Sequence, residues 1–101
     1  MKINICREQD LTEGNVRTAK VMARTVAVIR INGELYGIEA DCKHMKASMA
    51  RGKIEGHTIT CPAHGWQYDI RTGACLNELW VQLKTYPVVV KDGQVYVEVS
   101  V

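Results

Sequence analysis

Four residues constrain this chain more than any others: Cys42 and His44, and then, after sixteen intervening residues, Cys61 and His64. They read as C-x-H followed by C-x-x-H, so each short motif offers one thiolate and one imidazole. Cysteine and histidine in this order are a metal-ligand set, not two core thiols and two surface imidazoles that happen to fall close together. For the four to meet, the chain must leave one loop and return beside it. Sixteen residues are enough for a short antiparallel hairpin, and Gly56 lies where that hairpin would turn. The quartet therefore asks for an antiparallel β framework with two ligand-bearing loops at one end. A tetrahedral zinc ion would accept two Cys and two His. Zinc modules, however, usually pair like with like at close spacing, whereas each motif here mixes the two types.

The rest of the chain agrees with an all-β reading. Strand-like runs cover Lys2 to Cys6, Val16 to Met22, Thr25 to Ile31, Glu34 to Glu39, Thr58 to Thr60, Trp66 to Asp69, Tyr86 to Lys91 and Gln94 to Val99. Asn32-Gly33 and Asp92-Gly93 mark two-residue hairpin loops, because these residues tolerate the positive φ that a type I′ turn requires. Thr72-Gly73 and Thr12 to Asn15 read as further turns. Val26, Val28 and Arg30 alternate with Ala27, Ile29 and Ile31, the period of a strand with one buried face. Asp41 to Gly52 has no such alternation and reads as a loop. At 101 residues the chain is expected to be one domain, residues 1–101.

Composition removes several function classes. A net charge of +2, with basic residues scattered and not interleaved with aromatics, does not point to nucleic acid. No stretch approaches the ~20 apolar residues of a membrane helix. The absence of a leader-like start and the four cysteines suggest a reducing, cytoplasmic setting, in which thiols serve as ligands or buried apolar groups.

With these motifs in hand, the chain resembles the Rieske family, whose pattern is C-x-H, a spacer of about this length, and C-x-x-H. The resemblance continues through Gly65-Trp66-Gln67-Tyr68-Asp69 and through Asn32 to Tyr36, Gly52 to Gly56, Arg71 to Gly73 and Leu83 to Val88. It covers about residues 12 to 100 and is strongest toward stand-alone ferredoxins of ring-hydroxylating oxygenase systems. It implies an antiparallel β-sandwich with two cluster-binding loops at one end and one 2Fe-2S cluster. It also implies that Cys42 and Cys61 bind one iron and His44 and His64 the other. Two ferric ions, two sulfides and two thiolates sum to zero with neutral imidazoles, so such a cluster accepts an electron more readily than an all-cysteine one.

The chain departs from some of these relatives. The Rieske proteins of cytochrome bc complexes carry an extra cysteine in each loop, which join as a disulfide; Ala47 and Ala63 stand there. Both alanines are also consistent with close packing. A serine that donates to the cluster is replaced by Trp66, whereas Tyr68 matches the tyrosine that donates toward a ligand sulfur; the alternative for Tyr68 is a core aromatic whose hydroxyl finds another partner. The expected potential is thus toward the low end of the Rieske range of roughly −150 to +300 mV. The third loop, Leu76 to Gln82, lacks the family's proline, and Trp80 is a candidate to cover the cluster instead. His57 reads as a solvated turn residue, and Cys6 and Cys75 as buried free thiols.

Together these readings describe a carrier, not an enzyme, shuttling single electrons between a reductase and a terminal redox enzyme. A catalytic oxygenase would need a second iron site and far more chain. A cluster-bearing small subunit of a nitrite-reductase-like complex and a zinc module are the alternatives. Lys43, Lys46, Arg51 and Lys53 form a basic rim along the first loop that would suit an acidic partner surface. Met45, Ala47 and Met49 are the apolar centre expected within it.

Overall fold

The computed structural model of the protein describes residues 1–41, 48–63 and 65–99. Cys42, His44 and His64, with Lys43, Met45, Lys46 and Ala47, lie outside them. Ten strands run β1 Lys2–Arg7, β2 Val16–Val21, β3 Arg24–Ile31, β4 Glu34–Glu39, β5 Lys53–Glu55, β6 Thr58–Thr60, β7 Gln67–Asp69, β8 Thr85–Tyr86, β9 Val88–Lys91 and β10 Gln94–Glu98. Single 3-10 turns at Glu8–Asp10 and Met49–Arg51 complete the regular structure of the described residues. All strand pairs are antiparallel and form three sheets, ordered β1-β10-β9, β2-β3-β4-β8 and β5-β6-β7.

The four-stranded sheet is the middle layer. Val26 and Val28 of β3 face a core shared with Leu11, Tyr86, Val95, Val97 and Val99, while Ala27, Ile29 and Ile31 face a second core with Ile59, Cys61, Tyr68, Ile70 and Leu83. This corrects the expectation of one buried face for β3. Val26 to Ile29 are all fully buried, because an unbroken apolar run supplies an apolar side chain to each side of the pleat. One core holds the chain's two ends together; the other supports the candidate site.

Two other differences come from backbone chemistry. The expected strand from Tyr86 to Lys91 is divided at Pro87: Tyr86 pairs with Gly37 in the middle sheet, and Val88 pairs with Val97 in the first. Proline has no N–H to continue a ladder, but its carbonyl accepts the Glu98 amide at 2.9 Å. The strand expected to reach Met22 stops at Val21, since Met22 turns the chain with φ of 59°. β5 was not among the runs read as strands, although a hairpin turning at Gly56 was expected, and it is the first arm of that hairpin.

The two hairpin turns formed as the sequence indicated. Asn32-Gly33 has φ of 53° and 81°, and Asp92-Gly93 has 53° and 75°. The first is further held by Glu13, whose carboxylate accepts the Asn32 and Gly33 amides at 2.6 and 3.1 Å. Those two backbone hydrogen bonds hold the Glu13 carboxyl below its ordinary value of 4.5. A lowered folded-state value means that the charged form stabilises the fold above the unfolded value, and that this contribution fades as pH falls through the folded one. Glu13→Gln is therefore expected to melt below the parent at neutral pH and to converge with it on acidification, in thermal melts run across that range.

Candidate metal centre

Cys61 follows β6 directly and is 1 % exposed. Its amide donates to the Trp66 carbonyl at 2.7 Å, and the Gly65 amide donates back to the Cys61 carbonyl at 3.0 Å. These bonds close a tight turn whose root is the buried thiol. Pro62, Ala63 and Gly65 are exposed along it. Ala63 is thus an exposed turn residue and not a closely packed one, because the turn stands out from the sheet that carries it.

The first ligand segment is fixed at both feet. Asp41 and Ser48 form an isolated antiparallel bridge, and the Met49 amide donates to the Ala40 carbonyl at 2.6 Å. Met49 is completely buried in the same core as Cys61. It cannot contribute to an apolar docking centre as the sequence suggested, since a thioether beneath a loop gains more from the core than from water. The chain then runs through the Met49–Arg51 turn to Gly52. A Cβ there would lie 2.5 Å from the Thr60 carbonyl oxygen. The end of the first segment therefore rests against the residue just before Cys61, and the sixteen-residue spacer ends in the β5–β6 hairpin that makes this return.

A third segment lies against the Cys61 turn. Tyr68 is completely buried opposite Ile59 and bridges to Cys75, while Ala74 bridges to Gln82. The Leu76 amide donates to the Gln67 carbonyl at 2.8 Å, and the Gln67 amide donates to Asn77 Oδ1 at 2.8 Å. Sequence reading missed Asn77. The available signal was an Asn in a loop beside a strand, where its side chain can stand in for a backbone acceptor. Before this segment, Arg71 donates to Asp69 from its backbone at 2.8 Å and from its side chain at 3.1 and 3.2 Å. Those bonds, the Arg71 side chain first, hold the Asp69 carboxyl below its ordinary range.

The remaining candidates sort by position. Trp80 is 81 % exposed, and its Nε1 donates to Glu78 at 3.2 Å; the cluster ligands it was expected to cover lie mostly outside the described residues. His57 is half-buried, its ring meeting Tyr36 edge-on at 5.7 Å between centroids, so it is less solvated than expected. Cys75 is buried beside Tyr68, whereas Cys6 is only half-buried and packs against the other core. Partial burial pushes the Cys6 thiol up. Of the basic rim, Arg51 and Lys53 are exposed, with Lys53 3.4 Å from Glu55.

One buried thiol sits at the root of an exposed turn, next to the anchored feet of a segment that contains a second thiol and an imidazole. His64 lies outside the described residues. Among the described residues alone there is no group of three or more potential metal-binding side chains, so a complete centre would draw on Cys42, His44 and His64.

The sequence pattern of the Rieske [2Fe-2S] domain matches residues 1–87. A 3-phenylpropionate/cinnamic acid dioxygenase ferredoxin subunit of Photorhabdus laumondii is 36 % identical over 98 residues, covering 95 % of this chain and 92 % of the relative. The ferredoxin component of a p-cumate 2,3-dioxygenase system of Pseudomonas putida is 32 % identical, with coverage of 97 % and 86 %. Among solved structures, the ferredoxin in a complex of reduced oxygenase and oxidized ferredoxin in carbazole 1,9a-dioxygenase superposes with a TM-score of 0.88 at 34 % identity, covering 95 % of this chain and 91 % of that one. The Sphingomonas yanoikuyae B1 ferredoxin also gives 0.88, at 29 % identity, with coverage of 99 % and 100 %. The antiparallel fold, the buried thiol at the root of its turn and these likenesses lead to one statement: the chain belongs to the Rieske [2Fe-2S] domain family, whose single 2Fe-2S cluster is its cofactor.

Proposed function

We propose that the chain is a one-electron carrier, not itself an enzyme, that takes electrons from a reductase and passes them to a terminal oxygenase. Cys42 and Cys61 would hold one iron of the cluster, and His44 and His64 the other. The bound group supplies reversible one-electron chemistry at neutral overall charge in its oxidised state. The chain's own residues provide the setting. Cys61 is fixed by the Trp66 and Gly65 hydrogen bonds, and the core that buries it shields the thiolate side from water. Exposed Pro62, Ala63 and Gly65 would leave this end of the chain open to a partner.

The observation that carries this reading is the buried Cys61 at the base of an exposed turn that abuts the anchored first segment. The relatives support the setting, being named as ferredoxin components of dioxygenase systems and matching nearly the whole chain. Residues 1–101 act as one domain in this proposal. A cytoplasmic location is consistent with it, and among the described residues no helix is long and apolar enough to cross a membrane. Exposed Arg51 and Lys53 would contribute the described part of a rim suited to an acidic partner surface; neither nucleic acid nor a membrane is a partner in this scheme.

Protein produced with ample iron is expected to be red-brown, with iron and acid-labile sulfide in equal amounts, about two of each per chain as the cluster type requires. Redox titration of the same sample should give a one-electron midpoint toward the low end of the Rieske range. Zinc without iron would replace the proposal with a structural metal module.

A further inference from the structure

The third segment carries more exposed apolar surface than its size explains. Leu76, Leu79 and Trp80 are 52 %, 95 % and 81 % exposed within five residues. Elsewhere among the described residues, the large exposed hydrophobics are Met1, Met22 and the edge-strand pair Val89 and Val90. A Trp and two Leu gathered in one short loop form the kind of patch that marks an interaction surface on a soluble protein.

The loop is also held in shape. Besides the two bonds to Gln67, the Cys75 amide donates to the Val81 carbonyl at 3.1 Å, the Val81 amide to Glu78 at 3.0 Å, and Trp80 Nε1 to the Glu78 carboxylate at 3.2 Å. A preorganised loop loses little freedom when it docks. Its one charge, Glu78, already has the indole as a partner, so long-range attraction is not its main contribution. Its position gives it a use: Gln67, which holds the loop twice, follows Trp66, whose carbonyl closes the Cys61 turn. The small exposed residues Pro62, Ala63 and Gly65 beside it would not hinder close approach.

We propose that Leu76, Leu79 and Trp80 are an apolar anchor that seats the chain in a nonpolar recess beside the electron-entry point of its terminal oxygenase. This rests on the carrier reading above. The oxygenase is the chosen occupant because relatives of this chain are components of dioxygenase systems and one was solved in complex with an oxygenase. Trp is the side chain most often found at the energetic centre of an interface. On this proposal affinity comes from apolar contact, and the basic rim tunes encounter.

The test uses the cluster-loaded full chain, reduced chemically so that no reductase is involved, and mixed rapidly with the purified oxygenase component of carbazole 1,9a-dioxygenase. Transfer from the parent is expected to saturate with carrier concentration. The double variant Leu79→Ser, Trp80→Ser should raise the half-saturating concentration about tenfold or more, leaving the limiting rate, the visible spectrum and the midpoint unchanged. Leu79→Asn alone, at a side chain almost wholly in solvent, provides a variant that leaves the fold intact and should move the same quantity in the same direction. Arg51→Glu and added salt should have smaller effects. Unchanged half-saturation in both variants, no transfer from a cluster-loaded parent, or a larger effect of Arg51→Glu than of the double variant would each overturn the anchor. A parent chain without iron would instead fail the carrier reading, and the anchor with it.

Discussion

Cys61→Ser and Cys42→Ser are each expected to give a folded but colourless chain with little iron, while Cys6→Ser and Cys75→Ser remain coloured. A serine hydroxyl is a far poorer iron ligand than a thiolate, and Cys61 has no neighbouring thiol in the Pro62–Trp66 turn to take its place. Cys75 is the demanding control, because it is as buried as Cys61 and shares its core. Placing a hydroxyl there should cost about 1–3 kcal/mol of stability and lower the melting temperature without changing the visible spectrum. Cys6 is half-buried in the other core, so its replacement should cost less. Iron per chain, visible absorption and thermal melts of the four variants separate ligand from bystander. A colourless Cys75→Ser protein that keeps its fold would show the proposed ligand set to be wrong.

Gly52→Ala is expected to damage both stability and cluster retention, although the residue is not a ligand. The added methyl would meet the Thr60 carbonyl oxygen at 2.5 Å and Ile59 Cγ1 and the Met49 carbonyl oxygen at 3.0 Å. Two of those three atoms belong to the backbone, so relief requires the first segment to move away from β6. Overpacking of this kind typically costs 1–3 kcal/mol, about as much as removing a good buried contact. The displacement lies between the foot of the first ligand segment and the Cys61 turn, so iron occupancy should fall along with the melting temperature. Lys53→Ala is the control: it is one residue away, exposed, and engaged only in a surface ion pair with Glu55, whose loss should cost at most about 1 kcal/mol. Equal iron content in Gly52→Ala and the parent would mean that the close approach at Thr60 does not set the spacing of the turns.

Much of the framework was legible because it rests on local rules. The Asn32-Gly33 and Asp92-Gly93 turns depend on the φ values those residues tolerate, and both formed. The β5–β6 hairpin followed from the need to bring two motifs together across sixteen residues, with Gly56 at its turn. The antiparallel strands β2, β3 and β4 followed from their β-rich runs and short connections, although the one-sided alternation expected of β3 did not hold. The family pattern was carried by residue identities alone.

Legible in the residues alone were the class of fold, the two Asx-Gly hairpin turns and a candidate metal-ligand set, because propensities, turn chemistry and ligand types belong to individual residues and their neighbours. The tertiary structure decided which faces meet. It made β3 the middle of two cores, sent the chain from one sheet to another at Pro87, took Met49 inward and left Trp80 and Leu79 in water. An apolar side chain carries the same signal in the sequence whether it is destined for a core or for a partner. Only long-range packing, which places some of these side chains against other strands and leaves others without cover, distinguishes the two.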